Sequence, residues 1–142
     1  IPTPDAQCLG VRRFELSVIP HTGSWLEARV DRAALEYVVP GVAHEDLPHS
    51  GGLPPEYSLL EVRGGPILFS TLKRSLDGRC VVLRLYNPSP REAEVEVVFY
   101  KRPRRAWRAR LDEEEVEELR GDLDAVRLRI PPYKVETLKL EL

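Results

Sequence analysis

The chain contains no methionine, its only side-chain amides are Gln7 and Asn87, and arginine far outnumbers lysine. Few thermolabile residues combined with 31% charged residues are typical of a thermophile, although a GC-rich genome gives the same composition. Because methionine is missing even at the start, we expect the 142 residues to be an excised piece or a processed product of a longer polypeptide.

Long apolar runs are also missing. The longest runs have only a few residues, so we expect no membrane-spanning segment. A basic segment followed by an apolar one, the mark of a secretion signal, is absent too, which favours a cytoplasmic location. The formal net charge of -2 gives no overall attraction to nucleic acid or anionic lipid.

Cysteine is scarce. Cys8 and Cys80 are the only two, and they can pair only if the fold brings them together. We expect free, partly buried thiols in a reducing compartment.

Alternating hydrophobicity dominates what is present. Between Arg12 and Ile19, apolar residues occupy every second position, which predicts a strand with one buried face. Further strands are predicted at Ser58–Arg63, Ile67–Arg74, Cys80–Tyr86, Glu92–Tyr100, Arg105–Leu111, Val126–Ile130 and Val135–Leu142, with glycine- or proline-rich turns between most of them. Short strands separated in this way indicate a mainly β fold, an antiparallel sandwich of the supersandwich kind.

One segment has helical spacing instead. In "SWLE", Ser24 and Glu27 form the pattern of a capping box, and apolar residues then recur every three or four positions. We predict one amphipathic α-helix from about Trp25 to Val38, ended by Pro40 and Gly41.

Two adjacent charged runs are ambiguous. The basic run 101–110 holds six cations around Trp107, and six acids follow in 112–118, so the local charge cancels. We therefore favour a strand with one wet face over a nucleic-acid site, and a core tryptophan over a sugar-stacking platform. The acidic run is expected to be a one- or two-turn helix or a solvated loop.

No catalytic constellation is visible. His44 and His49 lack the spacing of a helical metal pair, and Ser50 lacks the strand–turn–helix context of an activated serine. The acids lie mostly on predicted solvent faces, so no glycosidase-type carboxylate pair stands out. We therefore assign no catalytic residue and no metal ligand to this chain.

Several strings nevertheless carry a family resemblance. "TPDAQCLG", "FELSVIPHTGSW", "GGLPPEYSLLEV" and "LKRSLDGRCVVLRLYNPSP" occur in this order. Together they resemble the C-terminal region of glycoside hydrolase family 38 α-mannosidases, in particular the bacterial and cytosolic-type branch. The resemblance implies two units: residues 1–64 as the end of a β-supersandwich that includes the helix, and residues 65–142 as the C-terminal β-sandwich.

The same resemblance implies a function for the parent enzyme. It would be a retaining α-mannosidase whose zinc ion and aspartate nucleophile lie on an N-terminal catalytic domain, and no residue of this chain matches those motifs. The expected role is to brace that domain and to rim its cleft. Candidate substrate or interdomain contacts are His21, Trp25, His49, Lys73 and Arg84, although ordinary structural roles are open for each.

A second function class stays open. The chain could be an autonomous carbohydrate-binding module, which exposed aromatic side chains would support. In either case a mannoside and the parent's catalytic domain are the expected partners. Because a piece of a larger sandwich exposes apolar faces and strand edges, we also expect self-association.

Overall fold

The computed structural model describes residue 3 and residues 10–142. The elements of this part of the chain are α1 (Val30–Val38), β1 (Leu60–Gly64), β2 (Leu68–Arg74), β3 (Val81–Tyr86), β4 (Ala93–Phe99), β5 (Arg105–Ala109), β6 (Glu115–Leu119), β7 (Ala125–Ile130) and β8 (Val135–Glu141). None of its helices is long and apolar enough to cross a membrane.

The strands form two antiparallel sheets. One has the order β1-β4-β7 and the other the order β2-β3-β8-β5-β6. Apolar side chains from both sheets build a single core, whose buried members are Leu83, Leu85, Val95, Val97, Phe99, Ala106, Leu123, Val126, Leu128, Ile130, Leu138 and Leu140. The predicted fold class, a mainly β antiparallel sandwich with one helix, is confirmed.

Alternation explains why these segments are strands. In β4, Ala93, Val95, Val97 and Phe99 are buried, whereas Glu94 between them is exposed. Side chains of a strand point alternately to opposite faces, so each second residue reaches the core. The seven strands predicted after residue 57 are all present, and no end differs from the prediction by more than two residues.

The acidic run was predicted wrongly. Instead of a short helix or loop it contains β6, which pairs antiparallel with β5 so that Trp107 faces Glu118 and Arg108 faces Glu117. The Nε of Arg105 lies 2.8 Å from Glu118 Oε1. The basic and acidic runs therefore stabilise each other as neighbouring strands. An edge strand that is mostly exposed on both faces carries no apolar alternation to reveal it.

The prediction of a strand at 12–19 was also wrong. This segment has no strand structure, and the side chains of Phe14, Leu16 and Val18 are 84%, 90% and 91% exposed. No other described segment pairs with it to supply hydrogen bonds, and none covers its apolar face. Apolar residues do alternate here, but no part of residues 10–142 packs against them.

The helix begins later than predicted. The capping box forms, since Glu27 N donates to Ser24 Oγ at 3.2 Å and Ser24 N donates to Glu27 Oε2 at 2.8 Å. However, Arg29 adopts a left-handed backbone with φ of 52°, so residues 25–29 form turns and α1 starts at Val30. No residue of α1 is buried, and Tyr37 is 48% exposed.

The string "LYNPSP" owes its shape to a buried amide. Asn87 Nδ2 lies 2.8 Å from the carbonyl oxygen of Arg91, 2.9 Å from that of Ile130 and 3.1 Å from that of Pro131. Its Oδ1 accepts the backbone N–H of Ser89 at 3.0 Å. Asn87 thus ties the β3–β4 turn to the end of β7.

The segment before β2 joins the sandwich directly. β1 pairs antiparallel with β4 and ends at Gly64. Gly64 has a φ of +92°, and a Cβ at this position would lie 2.5 Å from the carbonyl oxygen of Glu94, so only glycine fits. The predicted division into residues 1–64 and 65–142 stays a prediction.

Candidate functional site

The outer face of the five-stranded sheet holds a buried polar cluster. Because Leu138 and Leu140 point into the core, Lys139 between them points to the opposite face. Its ammonium donates to Asp77 Oδ2 at 3.1 Å and to Glu115 Oε1 at 3.0 Å, although the residue is only 7% exposed. Both carboxylates raise the pKa of Lys139, the hydrogen bond to Glu115 contributing most.

A second ion pair anchors the loop between β5 and β6 to this face. Glu113 is 6% exposed and accepts hydrogen bonds from Lys73 Nζ and, at 2.6 Å, from the backbone N–H of Leu76. These two bonds, first that of Lys73, hold the pKa of Glu113 below its usual value. Arg84 Nη2 donates to the carbonyl oxygen of Leu111 in the same loop. The loop therefore crosses back over the sheet.

Two acids of this cluster, Asp77 and Glu113, are held as anions at neutral pH because their pKa values are lowered. The pKa of Asp77 is lowered mainly by the hydroxyl of Ser75, and further by the Arg79 backbone N–H and by Lys139. A carboxylate held in this way is a poor proton donor. The ion pairs of this cluster therefore stabilise the fold.

The cluster includes two of the five predicted contact residues. Lys73 and Arg84 are engaged within the sandwich by Glu113 and Leu111. Sequence reasoning missed Asp77, Glu113, Glu115 and Lys139, because the alternation that placed Lys139 off the core predicted a wet face. Nothing local indicated that loops cover that face.

The other three predicted residues lie elsewhere. His21 is exposed, and Trp25, which follows the capping-box serine, is 49% exposed. His49 Nε2 lies 3.3 Å from Asp46 Oδ2 on an exposed loop. Within residues 10–142, no hydrogen bond or ion pair joins any of the five predicted residues to another.

Metal-ligating side chains do not converge in the part of the chain that the structure describes. No three histidine, cysteine, aspartate or glutamate side chains lie close enough there to hold an ion. Cys80 is a buried thiol outside any disulfide, and burial raises its pKa. Cys8 lies outside the described residues, so the expectation that it is unpaired stays a prediction.

A cleft of about 320 Å³ opens beside Trp107 on the same outer face. Trp107 was favoured as a core residue; it is buried, 7% exposed, but its neighbour Ala106 is the one that faces the core. The guanidinium carbon of Arg105 lies 4.6 Å from the ring centroid. The cleft is lined by Asp77, Arg79, Cys80, Arg105, Trp107, Glu115 and Glu141.

The largest grooves are more open and are lined by charge. One of about 820 Å³ runs along the outer face of the three-stranded sheet, where Arg127 lies 3.0 Å from Glu96 and Arg129 lies 3.0 Å from Glu94. Since the guanidinium groups of Arg127 and Arg129 are already paired across strands, neither is free for a ligand.

Comparison with known proteins identifies the sandwich. Residues 66–138 match the family model described as the glycosyl hydrolases family 38 C-terminal beta sandwich domain. The chain is also 30% identical, over 139 residues, to a protein of Halalkalibacterium halodurans provisionally named a mannosylglycerate hydrolase. That match covers 98% of this chain but only 15% of the relative's length. The chain therefore belongs to glycosyl hydrolase family 38, as the C-terminal β-sandwich domain of an enzyme of that kind.

Proposed function

We propose that this chain is a non-catalytic domain that braces the catalytic domain of a family 38 α-mannosidase through residues 10–59. The observation that carries the proposal is the uncovered apolar face formed by Phe14, Leu16 and Val18. Apolar side chains that are exposed together in this way mark a surface that binds another protein or domain.

The energetic argument is direct. Burying a large apolar side chain stabilises by roughly 1.5–3 kcal/mol, so three such residues offer about 4.5–9 kcal/mol to a partner that covers them. On binding, residues 12–19 can also add as a strand to a sheet edge, which supplies main-chain hydrogen bonds. Both gains need a partner with an apolar face and an open edge, such as the sheets of a larger sandwich.

The chemistry of the parent is part of the same proposal. The Halalkalibacterium halodurans relative is named as a mannosylglycerate hydrolase, and this name supports mannosides as the substrate class, for which we propose terminal α-mannosides. The residues described here do not fit a zinc site, since no three ligands converge among them. We therefore assign the expected zinc ion to the parent's catalytic domain and assign no chemical step to this chain.

Alternation supplies a matched experiment. In the full-length parent, Leu16→Asp puts a charge on the apolar face, whereas Ser17→Asp puts the same charge on the opposite face one residue away. We expect Leu16→Asp to lower thermal stability and aryl α-mannoside turnover, and Ser17→Asp to leave both near wild type. Equal behaviour of the two variants would overturn the bracing role.

The isolated chain offers a second readout. In the isolated chain no catalytic domain covers the apolar face of Phe14, Leu16 and Val18, so two copies of the chain should associate through it. We expect light scattering to detect self-association that Leu16→Asp reduces and Ser17→Asp does not. A chain that stays monomeric at all concentrations would count against this apolar face as a binding surface.

A further inference from the structure

The cleft beside Trp107 has the size of a small-ligand site and combines one aromatic ring with several polar side chains. Its volume of about 320 Å³ lies at the lower end of the range for ligand pockets, which suits one or two sugar rings. It lies on the outer face of the five-stranded sheet, so a ligand can enter without disturbing the core.

The charges of the cleft favour a neutral polar ligand. Asp77, Glu115 and Glu141 contribute three carboxylates, and Arg79, Arg105 and the adjoining Lys139 contribute three cations. The sum is zero, so neither an anion nor a cation is attracted strongly. Adjacent acceptors and donors of this kind match hydroxyl groups, which both donate and accept.

Two of these side chains have hydrogen-bonding capacity to spare. Asp77 and Glu115 already bond Lys139. In contrast, the side chains of Arg79 and Glu141 make no hydrogen bond or ion pair with any other residue that the structure describes. They can therefore serve a ligand without breaking an existing contact.

The tryptophan ring is covered by a side chain that can leave. Arg105 lies over the ring at 4.6 Å and its side chain is 55% exposed. Its other contact is an ion pair with Glu118 at 2.8 Å. An ion pair exposed to this degree is weak, so a ligand with an apolar face can compete with the guanidinium for the face of the ring.

We propose that this cleft binds a neutral sugar ring. One face of the ring stacks on Trp107 after Arg105 moves aside, and the hydroxyls bond Arg79 and Glu141. Such a site would hold a glycan against this domain, and it does not depend on the bracing role.

Tryptophan fluorescence tests the site directly. The chain has two tryptophans, so Trp25→Phe leaves Trp107 as the single reporter. We expect methyl α-mannoside to change its emission saturably, with a Kd on the order of 1–10 mM, as befits a single sugar ring. In this background Arg79→Ala and Glu141→Gln should each weaken binding by about fivefold or more, since the first removes a donor to the ligand and the second replaces a charged acceptor with a weaker neutral one.

The control is Arg104→Ala, which removes an exposed arginine next to Arg105 that does not line the cleft. Circular dichroism establishes that each variant is folded. The proposal is wrong if emission does not saturate, or if Arg79→Ala and Glu141→Gln titrate like Arg104→Ala. Such a failure leaves the bracing role untouched, because that role is read from stability and turnover of Leu16→Asp.

Discussion

Residues 60–142 and residues 10–59 both contain alternating apolar residues, but only the first region buries them. Among residues 10–142, the first region contains all eight strands and every residue of the apolar core, whereas the second contains one helix and, at Phe14, Leu16 and Val18, an apolar face open to solvent. The alternation at 12–19 resembles that of β4, where Val95 and Val97 are buried. The difference teaches that a pattern identifies a face that needs cover without saying where the cover is.

The largest expected effect is the difference in unfolding free energy between one leucine substitution in each region. Leu138→Ala removes a fully buried side chain and should lower the free energy of unfolding by about 3 kcal/mol. Leu16→Ala, at a residue 90% exposed, should change it by less than about 0.5 kcal/mol. Urea unfolding of the isolated chain measures both, and a comparable loss from Leu16→Ala would mean that region 10–59 has a core after all.

A somewhat smaller effect is expected at the amide that joins two turns. Asn87→Ala leaves buried carbonyl oxygens without their donor and should cost about 2–3 kcal/mol. Asn87→Asp keeps the acceptor for Ser89 but brings a carboxylate against those carbonyls, so it should destabilise at least as much. If Asn87→Asp were neutral in urea unfolding, the donor bonds would not be what holds the turn.

The sequence predicts the sandwich well because its strands bury one face, and burial imposes a period of two. It predicts β6 poorly because an edge strand stabilised by charge pairs with β5 shows no such period. The start of α1 also could not be predicted, since Ser24 and Glu27 form their capping box while the backbone of Arg29 turns left-handed. The polar cluster depends on Glu113 reaching Lys73 across 40 residues, a contact that no local pattern encodes.

Acid should weaken the sandwich through that cluster. The pKa of Glu113 is below its usual value of 4.5 in the folded chain, because Lys73 and the Leu76 backbone N–H bond its anion. A lowered folded-state pKa means that the stabilisation is complete above about pH 4.5 and is lost as pH falls through the folded-state pKa.

The measurement is the urea midpoint as a function of pH. Glu113→Gln should lower the midpoint at pH 7 and flatten its decline below pH 4.5. Glu114→Gln is the matched control, because that neighbouring carboxylate pairs with Arg110 while 65% exposed. If the urea midpoints of Glu113→Gln and wild type fell in parallel with pH, the Lys73–Glu113 ion pair would not cause the acid sensitivity.

The smallest expected effect tests whether the two regions unfold separately. Ser24→Ala removes the acceptor of the Glu27 N–H and should destabilise the turn before α1 by about 1 kcal/mol. Because α1 buries none of its residues, this loss should stay local. We expect faster amide exchange in residues 24–38 with no shift of the urea midpoint, which the sandwich sets. If the urea midpoint moved as well, α1 would be coupled to the core. Residues 10–59 would then be part of the sandwich rather than a separate surface that binds another domain.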